Sequence, residues 1–121
     1  MRDDQPRRPE ARVQALEALY AADSLGAVPV VEGLSARARR LTEGVWQHLA
    51  ALDAEIGAVS SGWRIERMPA VDRAILRLAL YELRHTDTPL GVVIDEAVEL
   101  AKRYSTERSG AFVNGVLAKL A

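Results

Sequence analysis

Between Pro69 and Arg84 the chain reads PAVDRAILRLALYELR. Ile75, Leu76, Leu78, Ala79, Leu80 and Leu83 cover most of the circumference of a helix, not a single stripe. A helix that is apolar nearly all round is buried in the middle of a soluble protein or in a membrane. This run is too short and too charged to cross a bilayer. It therefore predicts a central core helix with other helices packed on several sides. Pro69 suits the first turn, where its missing N–H has no partner to lose. Asp72 follows near the positive end of the helix dipole. On this reading the polar positions Asp72, Arg73, Arg77 and Glu82 mark the only face of the helix left exposed.

The flanking sequence supplies the helices such a core needs. Val13, Leu16, Leu19 and Tyr20 recur at helical spacing from Pro9 to about Leu25, and Gly26 is a stop. Ser35 is a plausible N-cap for one long helix to about Val59, carrying Leu41, Val45, Trp46, Leu49, Leu52 and Ile56. Ser60, Ser61 and Gly62 end it. A connector, Trp63 to Met68, is pinned to the core by Trp63 and Ile65. After the break from His85 to Pro89, Val93, Ala97, Leu100 and Ala101 share one face of a helix from about Leu90 to Tyr104. Ser105 or Thr106 caps a last helix whose buried stripe is Phe112, Val113, Val116, Leu117 and Leu120. No stretch alternates with the two-residue period of a half-buried strand. The expected fold class is all-α, and 121 residues suffice for one domain.

Composition narrows the function. The chain has 16 basic and 17 acidic residues, so it lacks the bulk basicity of a nucleic-acid binder and would need a local patch. The candidates are Arg7–Arg8–Arg12, Arg37–Arg39–Arg40, and Lys102–Arg103–Arg108. With no cysteine, disulfides, thiolate metal sites and a cysteine nucleophile are excluded. The opening MRDDQPRRPEARV lacks the apolar segment of a signal peptide, so a cytoplasmic location is expected. Residues 1–8 read as a polar, basic arm.

No catalytic constellation emerges. His48 and His85 lie on different helices with no ligand partner at metal spacing, and read as surface or rim histidines. GAFVNG lacks the spacing of a phosphate loop. Ser109 before Gly110 follows no strand and is no nucleophile elbow. Asp95–Glu96 and Asp53–Glu55 are close in sequence but point different ways on a helix, as solvated carboxylates do. The residues therefore predict no enzyme, no cofactor and no metal.

Binding remains. Arg7, Arg8 and Arg12 sit at a helix start, where the dipole disfavours cations; an arm waiting for phosphate would explain them. Arg37, Arg39 and Arg40 read as a solvated face. Trp46 and Trp63 read as core. Stacking on a base is credible for a ring beside cations, which singles out Tyr104, next to Lys102, Arg103 and Arg108. For Phe112 the core reading leads.

The runs WRIERMPAVDRAILRLALYEL and TPLGVVIDEAVELAKRYSTERSGAFVNGVLAKL, with ARVQALEALY near the start, resemble the NusB family of bacterial transcription antitermination factors. IDEAVELAKRYS together with FVNGVL is a specific combination. The resemblance runs from about Arg7 onward and is densest from Trp63 to Leu120. It implies an all-α fold of two small packed helical bundles around the central helix, one at about residues 9–60 and one at about 63–121. It implies no catalysis. Its implied partners are boxA-like single-stranded RNA, a NusE-like small-subunit ribosomal protein, and the antitermination complex on RNA polymerase at ribosomal RNA operons, with no membrane. Relatives occur as monomers or homodimers, so a homodimer is one expected assembly.

By position, the resemblance places RNA contact on Arg7, Arg8, Arg12, Tyr20, Tyr104, Arg108 and Phe112. It places the NusE-like partner around Asp72, on the face with Arg73, Arg77 and Glu82. Pro9 and Glu10 depart from the family's arginine-rich arm, and Arg108 stands where the family often carries an acidic residue. Two alternatives follow: a module of this fold that binds proteins but not RNA, and an RNA-targeting domain like those fused to RNA cytosine methyltransferases.

Overall fold

The computed structural model describes residues 8–60 and 62–121, with side chains described from Ala11 onward. It is all-helical over those residues: α1 (Arg8–Leu25), α2 (Ala36–Gln47), α3 (Leu49–Val59), a 3-10 turn (Ile65–Arg67), α4 (Ala70–His85), α5 (Leu90–Tyr104) and α6 (Glu107–Leu120).

α4 is the helix expected from its sequence, and it packs against each of the other five α-helices. Ile75, Leu76, Leu78 and Leu80 are each at most 1% exposed. Their neighbours come from α1 (Ala15, Leu16, Leu19), α2 (Leu41, Val45), α3 (Leu52, Ile56), α5 (Val93, Ala97) and α6 (Val113, Leu117). Pro69 stands one position earlier than expected, as the N-cap, which places Asp72 third in the first turn. α1 runs antiparallel to α4: Arg12 bonds to Glu82 near one end, and Asp23 bonds to Arg73 near the other. α6 runs parallel to it, with Ser109 on Asp72 and the Leu120 carbonyl on Arg84.

The helix ends follow the residues that cap them. Gly26 closes α1 at a φ of 62°, a backbone that an L side chain rarely adopts. Ser35 caps α2 by accepting from the Ala38 N–H at 3.1 Å. Thr106 and Ser109 form a reciprocal capping box at the start of α6.

The single long helix expected over residues 35–59 is instead two. His48 leaves helical geometry at φ −107° and ψ 17°, its N–H reaches back to the Gly44 and Val45 carbonyls, and its ring Nδ1 donates to the Gly44 carbonyl at 2.9 Å. Its ring packs at a 37° tilt against His85, with centroids 4.2 Å apart, and His85 stacks in turn on Tyr81. Gly44 is required here: a Cβ at that position would overlap the Tyr81 ring. The two histidines expected to be separate rim residues thus meet across the α2–α3 break, and no cluster of metal-ligand type occurs among the described residues.

Trp46 and Trp63, expected in the core, are 38% and 53% exposed. Leucines and branched aliphatics already surround α4, and the tryptophans lie at its periphery.

Candidate nucleic-acid and partner interface

The four polar positions of α4 do not form an exposed face. Glu82 is 2% exposed and accepts two hydrogen bonds from Arg12, each 2.8 Å. Arg73 donates to Asp23 at 2.6 Å and also holds the Ile65 and Met68 carbonyls, so it ties α1 and the connector to α4. Arg77 grips both carboxylate oxygens of Asp53 at 2.7 and 2.8 Å. These are internal struts. A central helix has no solvent side, so its charges are satisfied by partners that sequence spacing does not reveal: Arg12 and Glu82 lie 70 positions apart.

Arg12, expected to touch RNA, is corrected by the same pair. It is 7% exposed, and its guanidinium is bidentate on Glu82. Arg7 and the Arg8 side chain lie outside the described residues.

Asp72 is the exception on α4. It is 3% exposed; Oδ2 accepts from the Ser109 hydroxyl at 2.9 Å, while Oδ1 is buried without a hydrogen-bond partner among the described residues. Leaving a charged oxygen unpaired costs more than the roughly 1–3 kcal/mol of a neutral group. The carboxylate borders a pocket of about 250 Å³ that Trp63, Pro69, Thr106, Arg108, Ser109 and Phe112 also line. Trp63 and Phe112 meet edge to face there, with ring centroids 6.1 Å apart and planes at 64°. This hollow combines two aromatic rings, a cation and an unsatisfied acceptor. Ser109 is buried because it serves the capping box and Asp72 together.

The structure therefore gathers Arg108 and Phe112 at the start of α4 and adds Trp63, a residue expected in the core. The signal available for Trp63 was its place in a short connector beside Arg64 and Arg67. Tyr104, at the end of α5, is 42% exposed, with the Arg103 guanidinium 5.8 Å from its ring centre. Tyr20 is equally exposed on α1. Arg12 belongs to the other end of α4. The ten residues from Asp72 to Glu82 place the two ends about 15 Å apart, at 1.5 Å per residue.

The sequence profile of the NusB family matches residues 9–121. The chain belongs to the NusB family. A relative described as transcription antitermination protein NusB from Anaeromyxobacter dehalogenans is 48% identical, over 95% of this chain and 90% of its own length. The corresponding protein of Geobacillus kaustophilus is 43% identical over 94% of this chain and 95% of its own. Among solved structures, T. maritima NusB superposes with a TM-score of 0.85 at 36% identity, covering 94% of this chain and 89% of that one. A chain from a structure described as antitermination factors NusB and NusE in complex with dsRNA gives 0.82 at 32% identity, covering 96% of both. Membership assigns this chain to transcription antitermination, a non-enzymatic role. No helix among the described residues is long and apolar enough to cross a membrane.

Proposed function

We propose that the chain is a cytoplasmic RNA-binding adaptor that, with a NusE-like ribosomal protein, binds boxA-like single-stranded RNA and keeps RNA polymerase processive on ribosomal RNA operons. The observation that carries this reading is the pocket at the start of α4, where Trp63 and Phe112 stand beside Arg108 over the unsatisfied Asp72 carboxylate. The half-exposed Trp63 and the partly buried Phe112 beside a cation suit unstacked bases, which only a single strand offers. Tyr104, Arg108 and Phe112 are assigned to the RNA, together with Trp63, and Tyr20, Arg7 and Arg8 extend the contact. The NusE-like partner approaches the same end of α4, and a donor from it satisfies Asp72 Oδ1. The division into a bundle at about 9–60 and another at about 63–121 would place this site in the second bundle, close to the join.

A chain of net charge −1 makes few phosphate contacts alone, so a basic partner adds counterion release and affinity. A structural relative described as NusB and NusE in complex with dsRNA supports the pairing of this fold with a NusE-like protein and RNA. Two substitutions test it. Phe112→Ala should weaken RNA binding, and Asp72→Asn should weaken capture of the partner. RNA affinity unchanged by Phe112→Ala, Arg108→Ala and Trp63→Ala together would remove this pocket from the interface.

A further inference from the structure

A second hollow lies at the opposite end of α4. It encloses about 310 Å³ and is lined by Arg37, Arg40, Tyr81, His85, Thr86 and Thr88, with Leu41. The lining holds two guanidiniums and no carboxylate. Among the described residues, the acid in ion-pair range of a lining guanidinium is Glu82, whose two oxygens are already occupied by Arg12 at 2.8 Å each. Arg37 reaches Glu82 only at 3.7 Å, so much of its charge is left uncompensated. Arg40 has no ion pair among the described residues. Arg39, by contrast, turns away and pairs with Glu43 at 3.1 Å. Arg12, Arg37 and Arg40 against Glu82 leave a local surplus of two positive charges in a chain whose net charge is −1. The pocket at the start of α4 differs: there Arg108 faces Asp72 and the charges balance.

The wall is also fixed in shape. Tyr81 lies over Gly44, and its ring stacks on His85, which is backed by His48. Thr86 Oγ1 donates to the Glu82 carbonyl at 2.8 Å and accepts from the Thr88 N–H, so the hydroxyls beside the arginines are held in place. Guanidiniums beside hydroxyls and an imidazole suit a tetrahedral oxyanion. α1 starts at Arg8, one turn before Arg12, so the first turn of α1 lies at this end of α4.

We propose that this pocket binds a phosphate group of the RNA backbone, with Arg40 and Arg37 as the charged contacts. It is a positioning site without base readout: its lining offers charge and hydroxyls, and its two rings, the half-buried Tyr81 and the exposed His85, are packed on each other and on His48. The inference rests on the RNA-binding reading above. It makes the strand run along the central helix, from the aromatic pocket to the cationic one.

The test is RNA affinity against salt for the full chain with its NusE-like partner, using fluorescence anisotropy. On single strands each phosphate contact contributes about 0.7 to the slope of log K against log salt. Arg40→Gln should make that slope shallower by about this amount and weaken boxA-like and scrambled RNA by the same factor. Arg40→Lys should restore the slope, and Arg39→Gln should leave it unchanged. Equal effects of Arg39→Gln and Arg40→Gln would overturn the pocket in favour of diffuse attraction. If the parent protein binds RNA but Arg40→Gln and Arg37→Gln keep its slope, the proposal fails while the RNA reading stands. If the parent binds no RNA, both fail. Titration with inorganic phosphate, followed by the Arg40 and His85 NMR signals, separates the sources. Saturable shifts with an unaltered RNA slope would mark a free-anion site and overturn the RNA assignment.

Discussion

Removing the Arg12 guanidinium should destabilise the fold. Arg12 and Glu82 are 7% and 2% exposed and joined by two 2.8 Å hydrogen bonds. The pair sits against Ile75, Leu78, Val93, Ala97 and Leu100, an apolar wall that offers Glu82 no substitute donor. Arg12→Ala leaves a buried carboxylate with only Arg37, 3.7 Å away, to answer it. Breaking a buried pair costs about 3–5 kcal/mol, and the remaining Arg37 places the expected loss near the lower figure. Against a domain stability of about 5–15 kcal/mol this is a large share. With a urea m-value of about 2 kcal/mol/M, the unfolding midpoint by circular dichroism should fall by about 1.5 M. Removing both charges in Arg12→Met with Glu82→Leu should recover most of the loss, because no charge is left stranded. A single-variant loss below about 0.5 kcal/mol, or a double variant as unstable as Arg12→Ala, would refute the reasoning.

Gly44→Ala should cost about 1–3 kcal/mol from overpacking against Tyr81, although a helix-interior alanine ordinarily gains up to about 1 kcal/mol over glycine; chemical melts decide the sign. Leu80→Ala, at a fully buried position, should cost about 2–5 kcal/mol in the same assay. Trp63→Ala should change stability little, because the side chain is half exposed. The same substitution should weaken RNA binding by about 1–3 kcal/mol, the usual worth of one stacked base.

The helices were legible in the sequence wherever a single helix decides its own fate. Pro69 to Arg84 announced a central helix because no amphipathic surface helix carries leucine and isoleucine all round. Ser35, Gly26 and Thr106 announced helix ends because capping is local chemistry. What was not legible depends on distant partners. The break at His48 needs the Tyr81–His85 stack, some 35 residues downstream, to hold the ring that takes the Gly44 carbonyl. The charges on α4 looked like an exposed face because their partners Arg12, Asp23 and Asp53 come from other helices. Two tryptophans read as core because size and apolarity suggest burial, yet aliphatic residues had already filled the space around α4. Of the candidate interface, Tyr104 is marked by the basic residues beside its ring, whereas Arg108 and Phe112 enter through the family resemblance. Trp63 and the cationic pocket were missed, since both are assembled by packing between elements remote in sequence.

The central claim is that this chain and a NusE-like protein together read a boxA-like single strand. The most direct measurement is the affinity of each protein alone, and of the mixture, for a boxA-like oligonucleotide and for a scrambled one, at a single stated salt concentration. The account predicts that the mixture binds more tightly than either component and prefers the boxA-like sequence. A mixture no tighter than its better component, or one that binds both oligonucleotides alike, would contradict it.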